Sequence, residues 1–149
     1  MRRPMKKLFL MAFWGIVVAS LADYGVLAQS YRDSWQQPKK IMDAVGIVPG
    51  MVIGEAGAGT GYFTFFLKDR VGESGKIYAN DILQRQLDAI TARCERDSID
   101  NIVTILGEID DPRFPRGELD MVIMMLAFHE FTQPVEWMKN VIPSLKPDA

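Results

Sequence analysis

Cysteine and histidine are the scarcest reactive residues in this sequence, with one of each in 149 positions. A single Cys excludes a disulfide framework and a Cys-based zinc site, and a single His excludes a His cluster. No basic block is present: 17 Lys and Arg stand against 19 Asp and Glu, for a formal net charge of −2. Nucleic-acid binding through a positive electrostatic footprint is therefore not expected. No apolar run reaches the roughly 20 residues that a membrane-spanning helix needs. Internal repeats and low-complexity segments are missing too. What is present is ordinary globular composition, 48% hydrophobic and 24% charged, which argues against intrinsic disorder. The length suits one domain around one core.

Residues 1–28 read differently from the rest. Arg2, Arg3, Lys6 and Lys7 form a positive start, and Leu8 to Ala22 is an uncharged, mostly apolar run of 15 residues. Val26-Leu27-Ala28 then puts small residues at the two positions a signal peptidase reads. The pattern is that of a secretory signal cleaved after Ala28. Residues 29–149 would then be a periplasmic or secreted domain with no stable membrane insertion. An uncleaved anchor is the alternative, and the shortness of the run favours cleavage. Without residues 1–28 the balance is 13 basic against 18 acidic, a net of −5. Such a domain is repelled by phosphate backbones and anionic lipid surfaces. Cys94 falls at helical spacing with Leu87 and Ile90, so it is expected to face the core rather than serve as a reactive thiol.

Alternating short apolar runs and amphipathic stretches fill the remainder. Residues 29–37 read as an extended arm. Pro38 to Val45 suits a short helix, with Pro38 at its first position, an apolar face of Ile41, Met42 and Val45, and Gly46 to close it. Pro49-Gly50 is a turn, and Met51 to Gly54 a first strand. A glycine-rich loop spans residues 55–61, and Tyr62 to Arg70 reads as a helix with Phe63, Phe66 and Leu67 on one face. After a turn at residues 72–75, residues 76–80 form a second strand ending at Asp81. Gln84 to Asp97 is an amphipathic helix, Ile102 to Leu106 a third strand, and residues 107–117 a loop rich in Asp and Pro. Leu119 to Leu126 is a fourth strand, with Met121, Met124 and Met125 as core packing. A helix over residues 134–142 and a turn at residues 146–148 complete the chain. Strands alternating with helices imply a parallel sheet with right-handed crossovers.

The loop after the first strand carries the clearest chemical signal. Glycines between a strand and a helix let a ligand approach the backbone, and the helix start adds unpaired N–H groups. A phosphate-binding loop needs Gly-Lys-Ser/Thr, and no Lys follows Gly59 or Gly61. A dinucleotide loop needs a third glycine at position 62, where Tyr62 would obstruct close packing. What stands here is an acid followed by spaced glycines: Glu55, Gly57, Gly59, Gly61. An acid at Glu55 suits a cationic amine better than a phosphate.

With the preceding strand and following helix, this stretch resembles motif I of the class I S-adenosylmethionine (SAM) methyltransferases. The resemblance implies an α/β fold, a Rossmann-like three-layer sandwich with a mostly parallel sheet, and SAM as cofactor. It extends from about Trp35 to Ala149. Gly117-Glu118-Leu119-Asp120 is similar to the family's fourth strand, and Leu145-Lys146-Pro147-Asp148 to its turn before strand five, with Asp148 in place of Gly. Asp81, at the end of the second strand, matches the acid that accepts the ribose hydroxyls in that family; a turn or helix-capping Asp is the plainer role. The acid near the adenine amino group corresponds to Glu108 when aligned from the third strand and to Asp110 when aligned from Phe114-Pro115. Asp110 is the preferred of the two, and a solvated loop acid is the plainer reading. The family's fold has seven strands and only four are counted here, so the chain is expected to be a truncated version lacking the C-terminal strands.

In such an enzyme the protein mainly aligns the acceptor with an activated methyl group, and a base matters only if the acceptor must lose a proton. The stretch Ala127-Phe128-His129-Glu130-Phe131 follows the fourth strand, at the carboxyl edge where open α/β sheets bind ligands. His129 is the catalytic candidate, because a histidine is the residue type suited to moving a proton near neutral pH; a His that only ties the loop to backbone is the alternative. Glu130 could support it, and Phe128 and Phe131 could line the pocket. Tyr31, Arg32 and Trp35 could close over the cofactor. The expected acceptor is a small molecule. A methyltransferase-like binding module without turnover is the first rival, and a nicotinamide-dependent oxidoreductase the second. Oligomeric state is not legible.

Overall fold

The computed structural model describes residues 30–149, so the expected signal segment lies outside the described residues. The chain divides at Pro38 into two units, and the sheet lies wholly in the second, Lys39–Ala149. In the first unit, residues 30–36 form a helical segment, α1, rather than the expected extended arm. Arg32 donates to the Gln36 side chain one helical turn on (3.2 Å), and the Gln37 N–H donates to the Asp33 carbonyl (2.9 Å). These local i, i+4 bonds support a helix that the polar composition alone did not reveal. Gln37 then takes a left-handed φ of 48° and breaks the helix before Pro38.

α2 (Pro38–Ala44) has all but its first residue in the second unit. Met42 is buried and Ile41 half-buried, whereas Val45 is 43% exposed. The expected three-residue face is therefore two residues wide, because the helix ends at Ala44 and Val45 leaves on the following turn. β1 (Val52–Ala56), α3 (Tyr62–Val71), β2 (Lys76–Asp81), α4 (Gln84–Asp97) and β3 (Ile102–Leu106) follow. β4 (Met121–Met124), a 3-10 turn at Phe128–Glu130, α5 (Pro134–Val141) and a second 3-10 turn at Ile142–Ser144 complete the order.

The strands pair in the order β3-β2-β1-β4, all parallel. Side-chain alternation along each strand builds two faces. On one, Ile53 and Ile77 pack with Met42, Phe63, Leu67 and Val71. Phe65 and Ala79 join Leu87 and Ile90 of α4 beside them. On the other face, Ala56 and Tyr78 meet Phe114, Leu119, Trp137 and Val141. Helices α2 to α4 cover one side and α5 the other, which is the expected three-layer α/β architecture. Cys94 packs partly buried against the Phe65–Leu87 cluster, as its spacing implied, and burial pushes its thiol pKa up.

Two strand ends differ from the sequence reading. β1 runs on to Glu55 and Ala56, which pair with Ala79 and Asn80 on one side and Ile123 and Met124 on the other. A buried acid in a strand is tolerated here because Thr64 hydrogen-bonds to it. β4 is shorter than its apolar run. At its start, Asp120 turns its carboxylate to accept the Val52 N–H (2.7 Å), and Leu119 forms a lone parallel bridge with Leu145. At its end, Leu126 takes a left-handed φ of 58° and carries the chain off the sheet.

Candidate functional site

The chain moves from β1 outward to β2 and β3, then returns to the other side of β1 as β4. Such a reversal opens a crevice at the carboxyl ends of the central strands. Here it lies between the loop after β1 and the loop after β4. Gly57 (φ 71°), Gly59 (φ 55°) and Gly61 (φ 90°) all take left-handed backbone, which suits glycine. Gly57 also allows a close approach: a Cβ there would stand 2.4 Å from that of Ala127. The loop after β4 can therefore rest directly on the glycine loop.

Asp81 is fixed by both loops it joins. Its Oδ2 accepts the Gly59 N–H and its Oδ1 the Leu83 N–H, each at 2.9 Å. A carboxylate oxygen has room for a second donor, and Asp81 lies on the cleft wall, so it can still accept from a ligand. The cleft has a volume of about 400 Å³. Gly57, Gly59, Asn80, Asp81, Ile82, Leu83 and Gln86 form one side. Glu108 and Ile109, from the loop after β3, form a second. Leu126, Ala127, Glu130, Phe131, Thr132 and Trp137 form the third. Phe131 meets Trp137 edge-on (centroids 5.0 Å apart), so this wall is an aromatic pair seated on the buried Trp137; Phe128, expected to line the pocket too, leans on Phe131 (5.8 Å) from outside the lining.

The residues singled out in the sequence divide by position. Gly57, Gly59 and Asp81 meet at the cleft. Gly61 lies behind it, where a Cβ would crowd Phe65 and Ile90. Glu55 sits at the end of β1, 2% exposed and outside the cleft lining. Thr64 Oγ1 donates to its carboxylate at 2.6 Å. Burial pushes the Glu55 pKa from 4.5 up to about 8; the Thr64 bond opposes the rise and the Asp81 charge adds to it. Of the two acids weighed after β3, Glu108 lines the cleft and forms an ion pair with Arg113. Asp110 lies off the lining, and its backbone carbonyl accepts from Asn140 (2.9 Å). His129 stands on the 3-10 turn with its side chain 71% exposed and Nε2 3.7 Å from Glu130 Oε1. It is not among the lining residues, whereas Glu130 is.

Sequence reasoning passed over Asn80, Ile82, Leu83, Gln86, Ile109, Leu126, Thr132 and Trp137 as cleft residues. Ile82 and Leu83 had a readable signal, being apolar residues between a strand end and a helix start with no core to face. Leu126 had none, since nothing in its neighbours announces a left-handed turn. A second groove of about 580 Å³ runs along α4 and the start of β3, lined by Thr91, Cys94 and Val103 among others. It lies at the amino end of its strand, away from the end where such sheets bind ligands.

Comparison with known proteins agrees with the fold. A family described as "Methyltransferase domain" matches residues 53–148. The chain is 26% identical over 122 residues to a demethylmenaquinone methyltransferase of Lactococcus lactis subsp. lactis (strain IL1403), covering 82% of this chain and 48% of that protein. It is 30% identical over 89 residues to a nocamycin O-methyltransferase of Saccharothrix syringae, covering 60% and 32% respectively. Among solved structures, a SAM-dependent methyltransferase from Aquifex aeolicus superposes with a TM-score of 0.73 at 25% identity, over 78% of this chain and 62% of that one. The chain thus spans half or less of the length of these curated relatives.

Proposed function

The chain belongs to the methyltransferase domain family, and from that premise we propose that its cleft binds S-adenosyl-L-methionine for methyl transfer to a small-molecule acceptor. The observation that carries the reading is Asp81, held by two backbone N–H groups at the cleft wall with acceptor capacity to spare. A nucleoside offers a vicinal diol and a planar ring. The carboxylate suits the first, and the apolar Ile82, Leu83 and Ile109 suit the second. The charged residues of the lining are Asp81, Glu108 and Glu130, with no Lys or Arg among them. That balance favours a cationic or neutral ligand over a polyphosphate, which supports SAM over a nicotinamide dinucleotide.

When bound, the cofactor supplies a methyl group already activated on a sulfonium. The chain's own residues then have to hold and orient. Asp81 fixes the ribose end, and Gly57 and Gly59 let the ligand lie against backbone. Glu108 takes the place at the wall for which Asp110 was the other candidate. Leu126, Ala127 and Phe131 keep water from the acceptor side. Glu130 is the acidic side chain on that side, and His129, the catalytic candidate, stands outside the lining with Nε2 3.7 Å from it. A binding module without turnover is the second reading, favoured by the outward position of His129. The N-terminal pattern supports export of residues 29–149 to the periplasm or medium as part of this reading, which N-terminal sequencing of the exported protein at Gln29 would test.

Calorimetric titration of the full chain with S-adenosylhomocysteine (SAH), with NAD as control, tests the cofactor reading. The wild type should bind SAH, and Asp81→Ala should weaken binding at least about tenfold. A folded chain that ignores SAH, or prefers NAD, would overturn it.

A further inference from the structure

Asparagine is depleted in strands, yet Asn80 sits on the central strand β2 and is only 3% exposed. Its side-chain amide has two N–H donors, and each meets a backbone carbonyl: Pro112 O at 2.9 Å and Ile105 O at 3.3 Å. Those carbonyls bracket the loop that carries Glu108 and Ile109. Gly107, between them, packs so closely that a Cβ would stand 2.4 Å from Asn80 Nδ2. The Gly107 N–H donates to the Asp81 carbonyl (3.0 Å), and the Glu108 N–H to the Asp111 carbonyl (2.7 Å). On the other side, the Asn80 carbonyl accepts the Ala58 N–H of the glycine loop (2.9 Å). One residue thus ties the glycine loop, the Asp81 strand end and the opposite wall of the cleft.

We propose that Asn80 is a positioning residue of the cleft: by bracing both ends of the 107–111 loop, it sets Glu108 and Ile109 opposite Asp81 and so determines affinity for a nucleoside-bearing ligand. The proposal rests on the SAM reading of the same cleft. The demand on the side chain is narrow. An apolar residue would leave two carbonyls without their donor. An ionised Asp would present acceptors to acceptors.

The test is SAH titration of the full chain well below its unfolding temperature, with Asn80→Asp and Gly107→Ala as variants. Gly107→Ala pushes on the amide from the loop side and leaves residue 80 an Asn. Both variants should keep the circular dichroism of the sheet and bind SAH about tenfold more weakly or worse. Asn80→Asp should recover part of the loss, relative to wild type, as pH falls, because a protonated carboxyl regains one donor. A residue that served only fold stability would lower the unfolding temperature and leave SAH affinity unmoved.

Wild-type binding with either folded variant within twofold of it would overturn the role of Asn80 and leave the SAM reading standing. A folded wild type that does not bind SAH would overturn both. Hydrogen exchange on the wild type keeps the proposal refutable even if neither variant folds: SAH should slow exchange of the Gly107 and Glu108 amides, and no slowing would overturn the proposal.

Discussion

Glu55 offers the sharpest physical prediction. Its carboxyl is buried beneath the glycine loop with Thr64 as hydrogen-bond partner, and burial raises its pKa from 4.5 to about 8. The folded chain therefore keeps a proton there that the unfolded chain releases above pH 4.5. Stability must fall as pH rises wherever the native state binds more protons than the unfolded one. The contribution is fully present below pH 4.5 and lost progressively up to pH 8. The slope between those limits approaches about 1.4 kcal/mol per pH unit, so the loss at pH 7 is roughly 3 kcal/mol. Glu55→Gln keeps the shape and an acceptor for Thr64 but cannot ionise. Urea unfolding of wild type and variant from pH 4.5 to 8 isolates this one group, because every other titration is common to both. The two should be close at pH 4.5 and diverge steadily, with the variant more stable at pH 7 by an amount worth on the order of 10 °C in Tm. Parallel stability curves would falsify the assignment of a neutral Glu55.

Three further perturbations follow from the same contacts. Thr64→Val removes the bond that opposes the Glu55 shift, so it should lower stability by about 1–3 kcal/mol. In the same unfolding series the falling limb should then extend beyond pH 8 instead of flattening. Gly57→Ala places a Cβ on a left-handed residue at a cost of roughly 1–2 kcal/mol and pushes on Ala127. Urea midpoints should fall, and calorimetry should show SAH affinity lost along with them. Asp120 has its pKa held down by Lys146 (2.6 Å) and the Val52 N–H, so its contribution is present above pH 3.8 and lost as pH falls below it. Asp120→Asn should cost about 1 kcal/mol or less at pH 7, and the difference should shrink when unfolding is measured near pH 3.

What was legible in the sequence is whatever repeats. β3 and α4 have the expected ends because a β-branched run bounded by Asn101 and Gly107, and an amphipathic 14-residue stretch, each follow a single period. The glycine loop was legible because left-handed backbone restricts the residue choice. The errors fall where a single contact or backbone turn overrides the pattern of residue types. β1 extends through Glu55 because Thr64, nine residues later, supplies its partner. β4 stops short of its apolar run because Leu126 turns the chain toward Gly57, and α1 is a helix because Arg32 and Gln36 meet across one turn.

The cleft shows the same division more sharply. The places of Asp81, Gly57 and Gly59 in it were readable, since an acid at a strand end and glycines before a helix can be placed from sequence alone. Its walls were not, because Ile109, Leu126 and Trp137 come from three separate connections whose aim depends on tertiary contacts. The preference for Asp110 rested on counting back from Phe114-Pro115, and that count cannot register the Asn80 amide. The amide clasps Ile105 and Pro112 on either side of the loop, in which Glu108 lines the cleft while the Asp110 carbonyl accepts from Asn140. In the positioning role proposed for Asn80, which acid lines the cleft is set by a residue on a different strand. An Asn held in the middle of an apolar strand is the one local anomaly that points to it.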